Sequence, residues 1–524
     1  MEVIPKNQKD QLKAELEQFS SDRINFKLSL RKKKFNNILA KKRILYSNLS
    51  TSNYSLEFNL TKLNLPENYK DKFNDNDELM CTALKSIKSD DPLTVKYGIC
   101  LFKLYIKFFI DNKDIIFNLN LNFISDLLNI LEKWGEKGEK DIVFNILLIM
   151  TNYSYLNTNK TICKILLSSK GYKIWDLCFN MQDYEIMSQL VWILNNIIYE
   201  DKDSSYNLLK SNYFNKKIFS FYSNPTIISH LNEKDENNIF YILIDRGINL
   251  MANLLETKCS STYEKEEKYK LAIPIFNLIL KYSETNSPNI FYVCLYAINL
   301  ALEKEGRLIN LISSSNILKD ILDKKLFEHE NIVLYTNRII GEYTAFIPDL
   351  TQEFYDKCLN YEMDILFSAK SHIVIKEVFW VLSNIFHDNL NSITNALNNG
   401  PFMDKVFYLY KNPIEYDDIN QICYFFTTLV QQSNLDNFSK LLNKGLLDIS
   451  LQHLKMTFDE PKRVKLILEL IENCLHTGKT WGSNLIKEKC DNFGFRDILS
   501  NYEDTDDEEL EDIVEKIITN YYDN

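Results

Sequence analysis

Glycine and proline are scarce in this chain of 524 residues, which has 12 Gly and 10 Pro. Folds built from strands and tight turns use both residues at their hairpins, so their scarcity favours helices. The composition is otherwise that of a folded protein, because 45% of the residues are hydrophobic and 13% are aromatic. A chain of this length contains either several ordinary domains or one long repeat array.

Motifs for catalysis and for metal binding are also missing. The sequence has no Gly-rich phosphate loop and no Gly-x-Ser-x-Gly, and none of its six His has a His or Cys at the spacing of metal ligands. No pairing of a nucleophile with a base is visible either. We therefore expect no enzyme, no metal site and no cofactor.

The ten Cys form no Cys-x-x-Cys pair, and most of them lie in apolar runs, where a free thiol behaves as a small buried hydrophobe. This pattern predicts a reducing compartment and no disulfide framework. The N-terminus is polar and unlike a signal peptide, and the apolar runs are too short to span a bilayer. We expect a soluble protein of the cytosol or nucleus, without membrane insertion.

Charge is distributed unevenly along the chain. The stretch Arg23–Arg43 has nine Lys or Arg and no acid, and because the whole chain has a formal net charge of −11, the remainder carries −20. Such a body attracts cationic ligands and repels phosphate, which disfavours direct nucleic-acid binding. The acidic run Glu503–Asp512 could bind cations, but we interpret it as the start of the last helix, because acids are favoured near a helix N-terminus.

A helical apolar stretch that ends in Asn, or in a residue standing in its place, recurs along the chain. The stretches are Asn145–Asn152, Gln189–Asn196, Arg246–Asn253, Tyr292–Asn299, Tyr335–Glu342, Glu377–Asn384, Gln421–Thr428 and Leu466–Asn473. The steps between their ends are 44, 57, 46, 43, 42, 44 and 45 residues. Six of these seven steps fall in the range of about 40–47 residues that is typical of armadillo and HEAT repeats. The long step indicates an inserted loop near His230–Asn238.

These repeats predict an all-α fold, an armadillo-repeat superhelical solenoid of about ten repeats. Polar turns such as Ser168–Gly171 and Asn443–Gly445 divide each repeat into two or three helices. A single repeat cannot bury its own apolar face, so neighbouring repeats must stack. The last helix of each repeat is expected to line a long concave face.

Two Trp residues stand four positions before a repeat-ending Asn, in the pairs Trp192/Asn196 and Trp380/Asn384. This spacing puts both members of a pair on one face of one helix. Asn near a helix end can serve a purely structural role, as a cap or as a partner for a loop. However, the chain has only five Trp, so two matched pairs favour a shared function.

Together these features resemble the importin-α family of nuclear import adaptors. The resemblance lies in Ser188–Asp201 (SQLVWILNNIIYED), Ile375–Asn389 (IKEVFWVLSNIFHDN), Ile471–Tyr522 and the basic stretch Arg23–Arg43. It implies a protein that shuttles between cytoplasm and nucleus, binds Lys/Arg-rich nuclear localisation signals, recruits importin-β and meets an export receptor at its C-terminal repeats. The implied division is a flexible importin-β-binding arm over 1–47, a flexible linker over 48–77 and an armadillo array with a C-terminal capping repeat over 78–524.

The resemblance also implies two peptide-binding sites in the concave groove. Asn amides would hold the backbone of an extended peptide, and the indoles would take the stems of Lys and Arg with a cation–π contribution of about 0.5–2 kcal/mol. The major site would contain Asn152, Trp192, Asn196, Glu200 and Asn253. The minor site would contain Arg338, Glu377, Trp380, Ser383 and Asn384.

Several positions depart from the family pattern. Leu148, Asn249, Leu295 and Tyr424 stand where the family has Trp, and Glu342 and Thr428 stand where it has Asn. Leu can pack against a lysine stem but offers no π face. We therefore expect an altered cargo preference, in which the pair Trp380/Asn384 contributes more of the affinity than usual.

The basic arm has a helical stripe formed by Leu28, Phe35, Ile38 and Leu39. Its candidate residues for importin-β binding and autoinhibition are Arg23, Arg31, Lys32, Lys34, Lys41, Lys42 and Arg43. By resemblance, Lys41–Arg43 would occupy the protein's own groove when importin-β is absent. The residues alone also fit a localisation signal, a nonspecific polyanion patch or a membrane-surface helix. The alternative for the whole chain is an armadillo scaffold with reduced or altered cargo binding.

Overall fold

The computed structural model describes residues 76–111, 121–156, 160–211, 213–232, 238–257, 259, 261–347, 350–413, 416–457, 460–502 and 507–522. The predicted arm, 1–47, and all but the last two residues of the predicted linker lie outside this set. The described residues fall into two compact units. The first unit contains 76–111 and 137–149, and the second contains 121–136 and 150–522.

Within the described ranges the secondary structure is helical, without strands. The helices are α1 Asn76–Ile87, α2 Pro92–Asp111, α3 Leu121–Glu136, α4 Lys140–Leu156, α5 Lys160–Leu166, α6 Ser169–Asn180, α7 Tyr184–Glu200, α8 Lys202–Lys210, α9 Ile239–Leu255, α10 Thr262–Tyr282, α11 Pro288–Lys304, α12 Ile317–Lys324, α13 Glu330–Phe346, α14 Gln352–Ser368, α15 His372–Phe386, α16 Leu390–Asn398, α17 Gly400–Lys411, α18 Tyr416–Gln432, α19 Leu435–Asn443, α20 Leu446–Met456, α21 Pro461–Thr480, α22 Leu485–Phe493 and α23 Glu508–Tyr521. Shorter helical segments lie at Phe214–Phe219, Ser220–Tyr222, Pro225–Ser229, His230–Asn232, Gly306–Leu308, Ile309–Ile312, Phe495–Leu499 and Ser500–Tyr502.

Each of the Asn-ended stretches found in the sequence lies within a single helix. These helices are α4, α7, α9, α11, α13, α15, α18 and α21. In the second unit, α7, α9, α11, α13, α15, α18, α21 and α23 each pack against the next one in this order, and we call them the third-helix row. The prediction of an all-α armadillo-repeat solenoid is confirmed.

The repeats differ in how many helices precede the third one. In the repeats that end in α18 and α21, two shorter helices come first, whereas α10 and α14 each replace such a pair with one long helix. The prediction of two or three helices in a repeat is thereby confirmed. The sequence predicted a loop at His230–Asn238. Residues His230–Asn232 form a helical turn instead, and 233–237 lie outside the described residues.

Local sequence explains where many of these helices begin. Ser168 accepts a hydrogen bond from the backbone N–H of Gly171 (3.3 Å) and so caps α6. Gly445, between α19 and α20, has a φ of 91°, a conformation that favours glycine. Asp507 caps α23, and three acids follow in the first turn of that helix, so the interpretation of the acidic run as a helix start is confirmed from Asp507 onward.

In the first unit, α1 packs against α2, and polar side chains of α2 reach the first half of α4. Lys96 forms an ion pair with Asp141, and the ammonium group of Lys103 donates to the Oδ1 atom of Asn145. Burial lowers the pKa of Lys103 to about 8. The buried amide of Asn145 therefore accepts a hydrogen bond from the partly buried ammonium group of Lys103.

All ten Cys lie in the described residues as free thiols, most of them buried. Among the helices that the structure describes, none is both long and apolar enough to cross a membrane.

Candidate peptide-binding surface

Trp192 lies on α7 and faces the next third helix, α9. Its side chain is 9% exposed, and the guanidinium carbon of Arg246 lies 4.9 Å from the centre of its ring. Arg246 is itself only 2% exposed, and its Nη1 atom donates to the hydroxyl of Ser188 at 2.9 Å. Because Ser188 and Trp192 are four residues apart, they share one face of α7. One predicted groove indole thus already has a cation on its ring.

A close approach beside α9 fixes the position of Arg246. A Cβ atom on the neighbouring residue, Gly247, would lie 2.2 Å from the ring of Tyr222. The Tyr222 hydroxyl donates to the carbonyl of Leu243 (2.9 Å), and the Tyr282 hydroxyl donates to the carbonyl of Tyr222 (2.7 Å). Glycine is therefore required at position 247, and α9 is held in one register against the preceding segment.

Trp380, the second predicted indole, lies on α15 and packs on α13. It is 3% exposed, and a Cβ atom on Gly341 would lie 2.3 Å from its Cζ3 atom. The indole thus fills the space that a side chain at position 341 would need. Gly341 was not among the predicted site residues, although a glycine inside a helical stretch is the kind of signal that marks a close approach.

The predicted groove Asn residues hydrogen-bond to neighbouring third helices. Asn196 Nδ2 donates to the carbonyl of Thr151 (3.2 Å) and to the hydroxyl of Ser154 (3.1 Å) on α4. Asn384 Nδ2 donates to the carbonyl of Gly341 on α13 (2.9 Å). These amides therefore join adjacent repeats, which is the structural role that the sequence left open.

The other amide and hydroxyl groups of the two predicted sites also have partners within the row. Asn253 Nδ2 donates to Asn195 Oδ1 at 2.6 Å, which joins α9 to α7. The hydroxyl of Ser383 donates to the carbonyl of Phe379, in its own helix, at 2.7 Å. Asn152 lies on α4 and Glu200 ends α7, but their side chains lie outside the described part of the structure.

Arg338 and Glu377 form an ion pair between α13 and α15. The Arg338 Nε atom lies 2.9 Å from Glu377 Oε1, and the two side chains are 13% and 17% exposed. Burial alone would lower the pKa of Arg338, but the charge of Glu377, its hydrogen bond and the charge of Glu303 raise it above its ordinary value. The predicted minor site therefore holds a charged guanidinium that is paired with one carboxylate, that of Glu377.

The positions that depart from the family pattern have varied environments. Leu295 is fully buried, whereas Leu148 and Tyr424 are half-buried. Asn249 Nδ2 donates to the carbonyl of Asp245 in its own helix at 2.8 Å. The Leu295 position is thus part of the core, and no indole there would reach a ligand without rearrangement.

A group of tyrosines between the two predicted sites was not found from the sequence. The rings of Tyr292 and Tyr296 on α11 lie 5.7 Å and 5.9 Å from the ring of Tyr335 on α13. The guanidinium of Arg338 lies 5.6 Å from the Tyr335 ring. The four-residue spacing of Tyr292 and Tyr296 on one helix face was the only available signal.

No group of three or more His, Cys, Asp or Glu side chains in the described ranges is arranged to hold a metal ion. The residues of the two predicted sites supply amides, carboxylates and aromatic rings, which are groups capable of hydrogen bonds, ion pairs and cation–π contacts.

Comparison with known proteins shows a similarity of fold. No family model matches the chain, and no curated protein matches it. Among solved structures, an engineered protein from a structural genomics consortium superposes with a TM-score of 0.62 at 11% identity, over 84% of this chain and 98% of that one. This similarity shows the fold alone.

Two designed armadillo-repeat proteins also match, each over 48% of this chain. One, solved in complex with the peptide (KR)4, has a TM-score of 0.36 at 16% identity and is covered over 98% of its length. The other has a TM-score of 0.37 at 15% identity and is covered over 99% of its length. These superpositions are too loose to support an argument about the ligand of this chain.

Proposed function

We propose that this protein is a nuclear import adaptor of the importin-α type, which binds Lys/Arg-rich localisation signals along its third-helix row and recruits importin-β through residues 1–47. The observation that carries this proposal is that two predicted groove residues each hold a guanidinium group. Trp192 has that of Arg246 over its ring, and Glu377 is paired with Arg338. Both places thus bind a guanidinium group, but only the Glu377 carboxylate can be shared with a cationic side chain of a peptide, because the chain's own Arg246 occupies the ring of Trp192.

Charge supports the same function. The body carries −20 and the segment Arg23–Arg43 carries +9, so a cationic peptide is attracted to the body and competes with the protein's own basic segment. We infer that Lys41, Lys42 and Arg43 bind this surface when importin-β is absent, and that importin-β removes them. Shuttling between cytoplasm and nucleus, with an export receptor at the C-terminal repeats, belongs to the same proposal.

A second candidate function is an armadillo scaffold with reduced or altered cargo binding. Specific observations favour it: Asn196 and Asn384 donate to neighbouring repeats, and Leu295 is buried. An Asn amide has two N–H donors, and Asn196 uses both of its donors on residues of α4. A peptide backbone could therefore bond only to the Oδ1 acceptor of Asn196. Asn384, in contrast, has one N–H donor that no described residue accepts from.

A pulldown with importin-β and a lysine-rich signal peptide separates the two functions. The adaptor requires that the full chain captures importin-β and that a chain lacking residues 1–47 does not. It also requires that the shortened chain binds the peptide more tightly, because the competing cations are gone. A shortened chain that ignores the peptide, while its circular dichroism shows folded helix, would leave the scaffold as the function.

A further inference from the structure

The most informative group beyond the predicted site residues is Arg246. It stands three residues before Asn249 and seven before Asn253, so it shares with them the face of α9 that belongs to the predicted major site. Sequence analysis gave no role to this arginine. In the structure it crosses to α7, where it contacts Trp192 and donates to Ser188.

We propose that Arg246 is a specificity-determining residue, which keeps Lys and Arg side chains of a bound peptide away from Trp192. This inference rests on the proposed function and deepens it. The favoured ligand is a basic peptide that has an uncharged residue opposite Trp192 and places its cations elsewhere along the row.

The face of the Trp192 indole is already occupied. The attraction between a cation and an indole acts over the ring face and requires a distance within about 6 Å of the ring centre. The Arg246 guanidinium lies 4.9 Å from that centre. A peptide cation that stacked on Trp192 would have to displace this group or lie beside a like charge in a place with little water to screen it.

Arg246 is also held firmly in this position. It is 2% exposed, its hydrogen bond to Ser188 is 2.9 Å long, and Gly247 beside it is packed against Tyr222. Moving the guanidinium away would break the hydrogen bond and leave Ser188 to find another partner in a buried site. Arg246 is therefore a fixed part of the packing between α7 and α9.

The predicted minor site on α13 and α15 is arranged differently. Arg338, the arginine of the predicted minor site, is paired with the carboxylate of Glu377 rather than stacked on Trp380. A peptide cation near α15 meets a carboxylate that can be shared between two cations, whereas a peptide cation near Trp192 meets the positive charge of Arg246. Basic side chains are thus directed toward α13 and α15.

The experiment measures the affinity of a lysine-rich signal peptide for the full chain and for Arg246→Gln. We expect Arg246→Gln to bind about tenfold more tightly, which corresponds to about 1.4 kcal/mol. Arg246→Met, which keeps the apolar stem, should tighten binding similarly, and Arg246→Lys, which keeps the charge, should tighten it much less. Thermal melting identifies which variants are folded, and the Met variant carries the test if the Gln variant is not.

Arg307→Gln is the matched control. Arg307 also lies over an aromatic ring, 4.0 Å from the centre of Tyr269, but it is outside the third-helix row. Its removal should leave peptide affinity unchanged. If the wild-type chain binds the peptide and the folded Gln and Met variants bind no more tightly, the role of Arg246 is refuted while the proposed function stands. If neither wild type nor variants bind, the proposed function fails and this inference fails with it.

Discussion

At the scale of single residues, the structure contains polar groups whose environment the sequence does not reveal. Glu362 lies on α14 among residues that look like an ordinary helix with solvent-facing acids. It is nevertheless fully buried, and neither of its carboxylate oxygens has a hydrogen-bond partner among the described residues. Burial, with a smaller contribution from the charge of Glu377, holds the pKa of Glu362 well above its usual range.

Glu362→Gln should therefore change how stability depends on pH. Below the pKa of the unfolded chain, near 4.3, both states are protonated. As the pH rises, the unfolded chain releases the proton first, so the folded state loses stability up to its own raised pKa. We expect the free energy of unfolding of the wild-type chain to fall from pH 5 to pH 8 more steeply than that of Glu362→Gln, as measured by urea denaturation.

Glu353→Gln, on the same helix, is the control for this measurement. Glu353 is exposed and pairs with Lys357, whose hydrogen bond lowers the pKa of the Glu353 carboxyl. Its removal should not flatten the pH dependence. Equal slopes for wild type and Glu362→Gln would show that this carboxyl is not buried in its neutral form.

The buried amide of Asn384 gives a second test at this scale. In Asn384→Ala the carbonyl of Gly341 loses the donor that comes from α15, although Thr344 still donates to it, and we expect a loss of about 1–2 kcal/mol in the free energy of unfolding. Asn395→Ala, which removes an exposed amide on α16, should change the free energy by less than about 0.5 kcal/mol. Equal effects of the two substitutions would mean that Asn384 does not join the repeats.

At the scale of helices, most of the architecture could be predicted from the sequence. The repeat period placed each Asn-ended stretch in its own helix, because an apolar stripe with a period of 3.6 residues is a local property. Contacts between helices could not be predicted, since they depend on which faces meet. Arg246 over Trp192, and Trp380 on Gly341, join residues that are more than 35 positions apart in the chain.

The same limit applies to the candidate site. The residues Trp192, Glu377 and Arg338 could be named from their spacing and their resemblance to a family, and the structure brings Arg338 and Glu377 together. The contacts of a side chain with neighbouring repeats depend on how the repeats stack. The sequence therefore could not show that the Asn amides donate across repeats or that Leu295 is in the core.

Gly341→Ala tests the packing of α13 on α15. The added Cβ atom would lie 2.3 Å from the Trp380 ring, which must shift or push the helices apart. We expect a loss of about 1–3 kcal/mol in the free energy of unfolding, in line with other overpacked cores. Gly400→Ala is the matched control, because a Cβ atom there meets nothing within 4 Å. A melting temperature unchanged by Gly341→Ala would contradict the close contact.

At the scale of the whole molecule, the stacking of the repeats and the uneven distribution of charge indicate the same kind of partner. Neighbouring third helices pack in sequence from α7 to α23, so one surface extends over many repeats. The negative charge of the body and the positive charge of Arg23–Arg43 predict that peptide affinity falls as salt rises. An extended cationic chain, either a ligand or the protein's own segment, is the partner that fits both features.

Hydrogen–deuterium exchange of the full chain, with and without excess lysine-rich signal peptide, tests the central claim most directly. A peptide of the same length with Glu in place of Lys serves as the control. The account predicts slower exchange in α13 and α15, a smaller effect in α7 and α9, and no change with the acidic peptide. Protection confined to helices outside the third-helix row, or no protection at saturating peptide, would contradict it.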